Sequence, residues 1–404
     1  MFDWKKALHT LVIRISGLFA RLLPDRVPMT FVGPQATAQL CASMAQMARR
    51  KVLVVTDAGL VQAGLVGRVT DALEAAGLGW AVFDGVEPDP TFAQVEAGLS
   101  RLEGEGCDAI LAVGGGSPMD AAKVIAAMAT NGKDARRLEG LMKVRKPPVS
   151  LYAIPTTAGT GSEATVAAVV SETDTHVKKF FVDPKLLPEM TALDPSLMTG
   201  LPPHITAATG MDALTHAVES FIAKTSTPQT ERWATAAVKL IFANLPKAYS
   251  EGGDGDARKA MSLASYYAGL AFTRTSVGYV HAIAHTFGAY YRTPHGMANA
   301  IALPHVLEFS RPDAAERLAR LGELIGVEGA TDDAKAEAFI SAVRDLMAKI
   351  GIPFTLEDLR AADIPAIAEK ALAEAHMNYP VPRYMDQRDC ERILREIVVS
   401  PAGA

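Results

Sequence analysis

Between residues 51 and 157 four short apolar runs alternate with stretches of helical period: KVLVVTD (51–57), WAVFDGV (80–86), AILAVGGGS (109–117) and VSLYAIPTT (149–157), with helices expected over 59–76, 91–105 and PMDAAKVIAAMATN (118–131). Strands separated by helices of that length cannot pair as hairpins. They need crossover connections, which are right-handed and produce a parallel sheet. The pattern predicts a Rossmann-like α/β domain of the dinucleotide-binding kind. After LDPSLMTGLPPH (193–204) the strands stop and the chain reads as helix after helix, so a boundary is expected at Pro202-Pro203. The expected organisation is an N-terminal helix over 1–24, an α/β domain over 25–202 and an all-α domain over 203–404.

Composition excludes little except extremes. With 49% hydrophobic residues, 21% charged and a net charge of -5, the chain offers no electrostatic reason to bind nucleic acid. Cys41, Cys107 and Cys390 lie far apart and are odd in number, which argues against a disulfide framework and for a reducing, cytoplasmic compartment. The opening MFDWKKALHTLVIRISGLFARLLP has a basic start and an apolar middle, but Arg14 and Arg21 interrupt it and no small-residue cleavage site follows. Those charges also argue against a spanning helix. Trp4, Leu8, Leu11, Val12, Ile15, Leu18, Phe19 and Leu22 follow the i, i+3, i+4 rule, so an amphipathic helix ended by Pro24 is expected. Its apolar face needs a cover: the body of the protein, another subunit, or a membrane surface.

Chemistry gathers at the strand ends. Gly114, Gly115 and Gly116 leave the third strand, Ser117 is placed to cap the next helix and Pro118 suits its first turn. Such a turn lets a phosphate reach the backbone N–H groups of a helix N-terminus, or it is simply a tight structural turn. PTTAGTGSEAT (155–165) adds a second strand end rich in hydroxyl and backbone donors. Asp57 closes the first strand, where it either accepts from a ribose diol and repels a 2′-phosphate or caps the helix that follows.

In the helical half, YVHAIAHTFGAYYRTPHG (279–296) holds three of the nine histidines, and GMDALTHAVESF (210–221) sets Asp212 and His216 four apart on one face. A lone histidine on an apolar helix is more often a core residue than a ligand. A carboxylate and an imidazole buried together, however, need each other or a metal. Asp212, His216, His281 and His295 together offer one carboxylate and three imidazoles, a set suited to Fe²⁺ or Zn²⁺.

GGGSPMDAAK, PTTAGTGSE, GMDALTHAVES and VHAIAHTFGAYYRTPHGMANAIALPHV, in this order, resemble the iron-containing (group III) alcohol dehydrogenase family, over roughly residues 30–400. The resemblance implies an N-terminal dinucleotide-binding domain, a helical C-terminal domain and an active site in the cleft between them. It places the metal ligands on Asp212, His216, His281 and His295, and makes His285 the non-ligand histidine near the nicotinamide. For NAD it implies Gly115, Gly116 and Ser117 at the pyrophosphate with Asp120 nearby, and Thr156, Thr157 and Thr160 on the nicotinamide side. Lys178 would reach the ribose, the stretch from Leu197 to Leu201 would form an adjoining loop, and Asp57 would be the NAD-selecting aspartate.

The implied reaction is reversible hydride transfer between a primary alcohol or aldehyde and nicotinamide, with the alcohol oxygen bound to Fe²⁺ and His285 relaying the proton. A homo-oligomer, dimer or larger, is expected. Two positions depart from the pattern. Asp89 stands where an Asn is expected and cannot donate as an amide does; Arg274 stands where some relatives carry Asn, as a structural cation or a contact for anionic substrates. Other readings are a hydroxyacid-oxoacid transhydrogenase with the same ligands, a dehydroquinate-synthase-like lyase needing a different ligand set, and a non-catalytic scaffold.

Overall fold

The four apolar runs form four adjacent strands of a six-stranded sheet, the second run at its edge. The computed structural model describes residues 9–11, 13, 17, 26–174 and 177–398. Contacts divide the chain into two units, Asp25–Gly200 and Leu201–Ala404 with Met1–Pro24. In the first, β1 (Met29–Val32), β2 (Lys51–Val55), β3 (Gly79–Phe83), β4 (Ala109–Gly114), β6 (Ser150–Pro155) and β9 (Met190–Leu193) pair in the order β1-β9-β6-β4-β2-β3. Every pairing in this sheet is parallel. A smaller sheet, β5-β8-β7, is built from β5 (Gly140–Leu141), β7 (Ala167–Ser171) and β8 (Lys178–Val182).

Alternate residues of each central strand face opposite helix layers, which is why the runs are apolar throughout. Leu53, Val55, Ile110 and Ala112 pack with Phe92, Val95 and Leu99 of α4 (Phe92–Gly104) and Ile125 of α5 (Gly116–Asn131). Val52, Val54, Leu111 and Val113 pack with Leu40 and Met44 of α1 (Ala36–Gln46) and Val69 and Leu73 of α3 (Leu65–Ala75). The single helix expected over 59–76 is two, α2 (Ala58–Gln62) and α3, because Gly64 at φ +74° interrupts it. β2 has β3 on one side and β4 on the other, so the strand order reverses there. The crevice at the carboxyl ends of β2 and β4 is where open α/β sheets bind ligands.

The second unit contains α6 (Pro203–Ile222), α7 (Pro228–Ser250), α8 (Gly255–Thr275), α9 (Tyr279–Tyr291), α10 (His295–Leu324), α11 (Asp332–Lys349), α12 (Ile364–Asn378) and α13 (Gln387–Ile397). Among its described residues there is no strand beyond the isolated bridge between Leu356 and Val398. α6 is its centre, buried from Gly210 to Ile222. Gly210 permits this, since a Cβ there would lie 2.4 Å from Leu245 Cδ1 of α7.

His9 belongs to this unit and is buried, its Nδ1 2.9 Å from the His376 carbonyl and its ring 5.6 Å from both His376 and Tyr384. Gly17 sits against Thr225. Leu11, expected on the covered stripe, is instead 53% exposed. His9, Ile13 and Gly17 recur every four residues and share one face of a helix, while Leu11 falls on another. The other expected stripe positions, Trp4, Leu8, Val12, Ile15, Leu18, Phe19 and Leu22, and Pro24, lie outside the described residues. Among the described residues no helix is long and apolar enough to cross a membrane.

Candidate active site

At the end of β4 the backbone passes through Gly114 at φ +151° into α5. Gly115, not Ser117, occupies the N-cap; Ser117 lies within the first turn, and no side chain caps the helix. The first-turn N–H groups therefore keep their capacity for an anion. A Cβ on Gly115 would stand 3.3 Å from Thr157 Oγ1, and one on Gly116 3.0 Å from Thr160 Cγ2. The glycine turn thus lies directly against the threonine-rich end of β6, and the bare backbone forms a cradle that fits a pyrophosphate. Thr156 is buried and continues the ladder through its N–H to the Gly114 carbonyl, so it offers least of the three threonines to a ligand.

Other expected cofactor positions find protein partners. Asp120 accepts from Ser162 Oγ at 2.9 Å and from the Val169 N–H at 3.0 Å, so both oxygens are engaged. Lys123 beside it is buried, its Nζ within 2.8 Å of the Ser162 and Ala167 carbonyls, Ser162 Oγ and Thr165 Oγ1. Burial pushes the amine down to about 8 and the nearby Glu163 carboxyl up to about 7. Lys178 pairs with Asp89, Nζ to Oδ1 2.9 Å, so the carboxylate found in place of an amide is held by the lysine expected at the ribose. Asp57 caps α2, Oδ1 accepting from the Leu60 N–H at 3.0 Å, which employs one of its two oxygens. Leu197 is a core residue beneath the α1 and α3 layer, and the Leu201 carbonyl accepts from Arg258 at 3.0 Å.

In the helical unit the four expected ligands converge. Side-chain donor atoms of Asp212, His216 and His281, all buried, lie within 4.8 Å of one another. Asp212 Oδ1 is 3.9 Å from His281 Nε2 and 3.6 Å from His295 Nε2. Gly296 explains how α10 comes so close: a Cβ there would be 2.3 Å from the Ala208 carbonyl oxygen of α6, and only glycine seats His295 over Asp212. Asn299, fully buried, donates to Asp212 Oδ1 at 2.7 Å and lies 3.1 Å from His295 Nε2. Phe272 stacks on His216 at 4.1 Å.

Glu219, one turn beyond His216, orients the cluster. It accepts from the Gly278 and Val280 N–H groups, both at 2.8 Å, and its Oε2 is 2.6 Å from His281 Nδ1. A side chain on Gly278 would collide with it, the Cβ lying 2.6 Å from Glu219 Oε1. Burial pushes the Glu219 carboxyl up to about 8 against the backbone donors of Gly278, Val280 and His281. Burial, then the neighbouring imidazoles, hold His281 neutral, well below the usual histidine range. When Glu219 is ionised Nδ1–H donates to it and the lone pair falls on Nε2, which is buried without a hydrogen-bond partner and faces a carboxylate. Such an orphan costs about 1–3 kcal/mol. A divalent cation between carboxylate and imidazoles removes that cost, so the donor set fits Fe²⁺ or Zn²⁺.

His285 stands one turn on from His281, its ring stacked on His295 at 5.4 Å and its Nδ1 2.7 Å from Glu374 Oε1. Arg274 lies over the Trp233 ring at 5.6 Å. Glu219, Asn299, Phe272 and Glu374 were not among the sequence expectations. The first two carried a signal, since Glu219 follows His216 by three and Asn299 follows His295 by four on the same helix faces. Glu374 lies 89 residues from its partner and carried none.

A dinucleotide crevice in one unit and a carboxylate–imidazole metal cluster in the other define a metal-dependent oxidoreductase of the nicotinamide-linked class. The iron-containing alcohol dehydrogenase model matches residues 28–195, and that of the Fe-containing alcohol dehydrogenase family C-terminal region matches 206–398. The chain is 41% identical over 346 residues to the lactaldehyde reductase of Escherichia coli (strain K12), spanning 84% of this chain and 90% of that protein. It is 38% identical over 372 residues to the NAD-dependent methanol dehydrogenase of Bacillus methanolicus, spanning 91% and 97%. A solved 1,3-propanediol oxidoreductase superposes with a TM-score of 0.89 at 40% identity, over 92% of this chain and 98% of that one. The chain belongs to the iron-containing alcohol dehydrogenase family, whose cofactors are NAD and iron, and is an oxidoreductase of the alcohol–aldehyde couple.

Proposed function

We propose that the protein interconverts a short primary alcohol and its aldehyde with NAD(H). The buried convergence of Asp212, His216 and His281 carries the reading. These residues and His295 would hold Fe²⁺, with Zn²⁺ as the other fit, and the metal supplies Lewis-acid activation of the alcohol oxygen. Asp212 brings the set's one carboxylate and the histidines its imidazoles, so the ligands would offset only part of the cation's charge. His285 takes the hydroxyl proton in oxidation and returns it in reduction. Gly115, Gly116 and Ser117 bind the pyrophosphate, with Thr157 and Thr160 beside them. The names of the similar proteins, concerned with lactaldehyde, methanol and 1,3-propanediol, favour a small substrate.

The test is anaerobic reconstitution with iron followed by an NADH-linked screen from methanol to dodecanol and the matching aldehydes. The best kcat/KM is expected among the shortest members; no turnover of any alcohol or aldehyde with either nicotinamide cofactor sinks the reading. We assign cofactor choice to Asp57. NAD is expected to be preferred over NADP by on the order of tenfold or more, because a 2′-phosphate meets like charge. Asp57→Gly should narrow that ratio with little loss of fold, since glycine is nearly as good a helix cap. A wild-type preference for NADP would leave Asp57 as a cap alone.

A homo-oligomer accords with edge strand β1, which leaves Met29 and Val32 exposed, and a cytoplasmic one with the free thiols of Cys41, Cys107 and Cys390. For the N-terminal segment, the burial of His9 against His376 and Tyr384 favours a seat on its own chain over peripheral attachment to a membrane.

A further inference from the structure

Three elements hold the His285 ring. Its backbone belongs to α9, its face lies on His295 at the start of α10, and its Nδ1 is 2.7 Å from Glu374 on α12. The same Glu374 oxygen accepts from the Tyr379 hydroxyl. Tyr379 is buried just past the end of α12, anchored by its N–H to the Ala375 carbonyl at 2.9 Å. An ionised carboxylate only accepts hydrogen bonds. With Glu374 ionised, the bond to His285 therefore runs from Nδ1–H, and the lone pair of the ring falls on Nε2. A histidine ring otherwise exchanges tautomers and flips about a broad, roughly two-fold χ2.

We propose that Glu374 is a positioning residue for the reaction, acting through His285; this rests on the reading of His285 as the proton carrier. Glu374 holds the ring in one tautomer and one orientation, so that Nε2 is the nitrogen that meets the substrate hydroxyl. In alcohol oxidation the O–H bond would break as an N–H bond forms at Nε2, and bound NAD would supply the acceptor for the hydride that carries away the C–H electron pair. The imidazolium so formed sits beside the Glu374 carboxylate, and loss of the Nε2 proton to water resets the ring. Tyr379 holds the carboxylate in place by occupying the same oxygen.

The metal-loaded enzyme tests this through a double-mutant cycle. Glu374→Ala should lower kcat about 10–100-fold, the usual effect of removing a histidine's orienting carboxylate, with KM, metal content and NAD binding near those of the parent. Glu374→Gln, which keeps an acceptor oxygen, should recover most of the loss. In a His285→Ala background Glu374→Ala should cost nothing further. In zinc-loaded, ¹⁵N-histidine-labelled protein the Nδ1 proton signal of His285 should be present and should vanish in Glu374→Ala. Tyr379→Phe, which preserves packing, should give a smaller loss that also disappears without His285, and it carries the test if Glu374→Ala fails to fold. Losses that persist undiminished in the His285→Ala background, or full turnover of Glu374→Ala beside an impaired His285→Ala, overturn the proposal alone. Full turnover of His285→Ala overturns the reading of His285 and this proposal with it.

Discussion

His281→Ala is expected to empty the metal site and lower turnover by more than about 100-fold, since even the outer-shell partners of metal ligands are worth 10–100-fold. His281 is the most committed member of the cluster. Glu219 fixes its Nδ1 at 2.6 Å, and its Nε2 is buried facing Asp212. Removing the ring leaves Glu219 without one of its three donors and Asp212 without an imidazole opposite. Binding of NAD should persist, because the glycine turn of α5 and the end of β6 share no residue with the cluster and lie in the other unit. Metal per chain, measured beside NAD affinity, separates these effects. A variant that keeps its metal and full turnover shows that the ligand set is wrong.

What was legible in the sequence follows from how far each signal reaches along the chain. The strands β2, β4 and β6 were plain because helices cover both faces and leave an unbroken apolar run between them, and edge strand β3 was plain from its short apolar run WAVF. β1 and β9 were missed: each has four residues, too few for a period to register, and they find partners only by pairing with each other and with β6. The small sheet was missed as well, with β5 only two residues long. In the helical half, Asp212 with His216 and His281 with His285 could be read because four residues make one helical turn. The glycines that bring their helices together, Gly278 and Gly296, show their purpose only against Glu219 and the Ala208 carbonyl. Asp120 and Lys178 have side chains suited to a cofactor. Their partners, Val169, Ser162 and Asp89, lie too far off in sequence for local pattern to announce them.

Lys123→Met should destabilise the α/β unit by about 3–5 kcal/mol, the cost of removing one partner from a buried charged network. Methionine keeps much of the apolar stem, so the loss falls on the ammonium group. That group reaches four acceptors within 2.8 Å and stands between two carboxylates, Asp120 and Glu163, whose own values burial pushes up. Without the cation those carboxyls rise further. A group whose folded value lies above its unfolded value binds protons preferentially in the folded state, so its stability contribution falls as pH rises through that interval. The penalty of Lys123→Met should therefore be smallest near pH 4, where unfolded carboxyls begin to protonate, and should grow toward neutrality. At neutral pH the melting midpoint should drop on the order of 10 °C. NAD affinity should fall with it, because Lys123 ties α5, whose first turn is the glycine cradle, to the segment from Ser162 to Ala167 that follows the threonine-rich end of β6. A penalty that stays flat from acid to neutral pH would show that Asp120 and Glu163 do not depend on the ammonium for their charge, and that the network is held by the neutral acceptors alone.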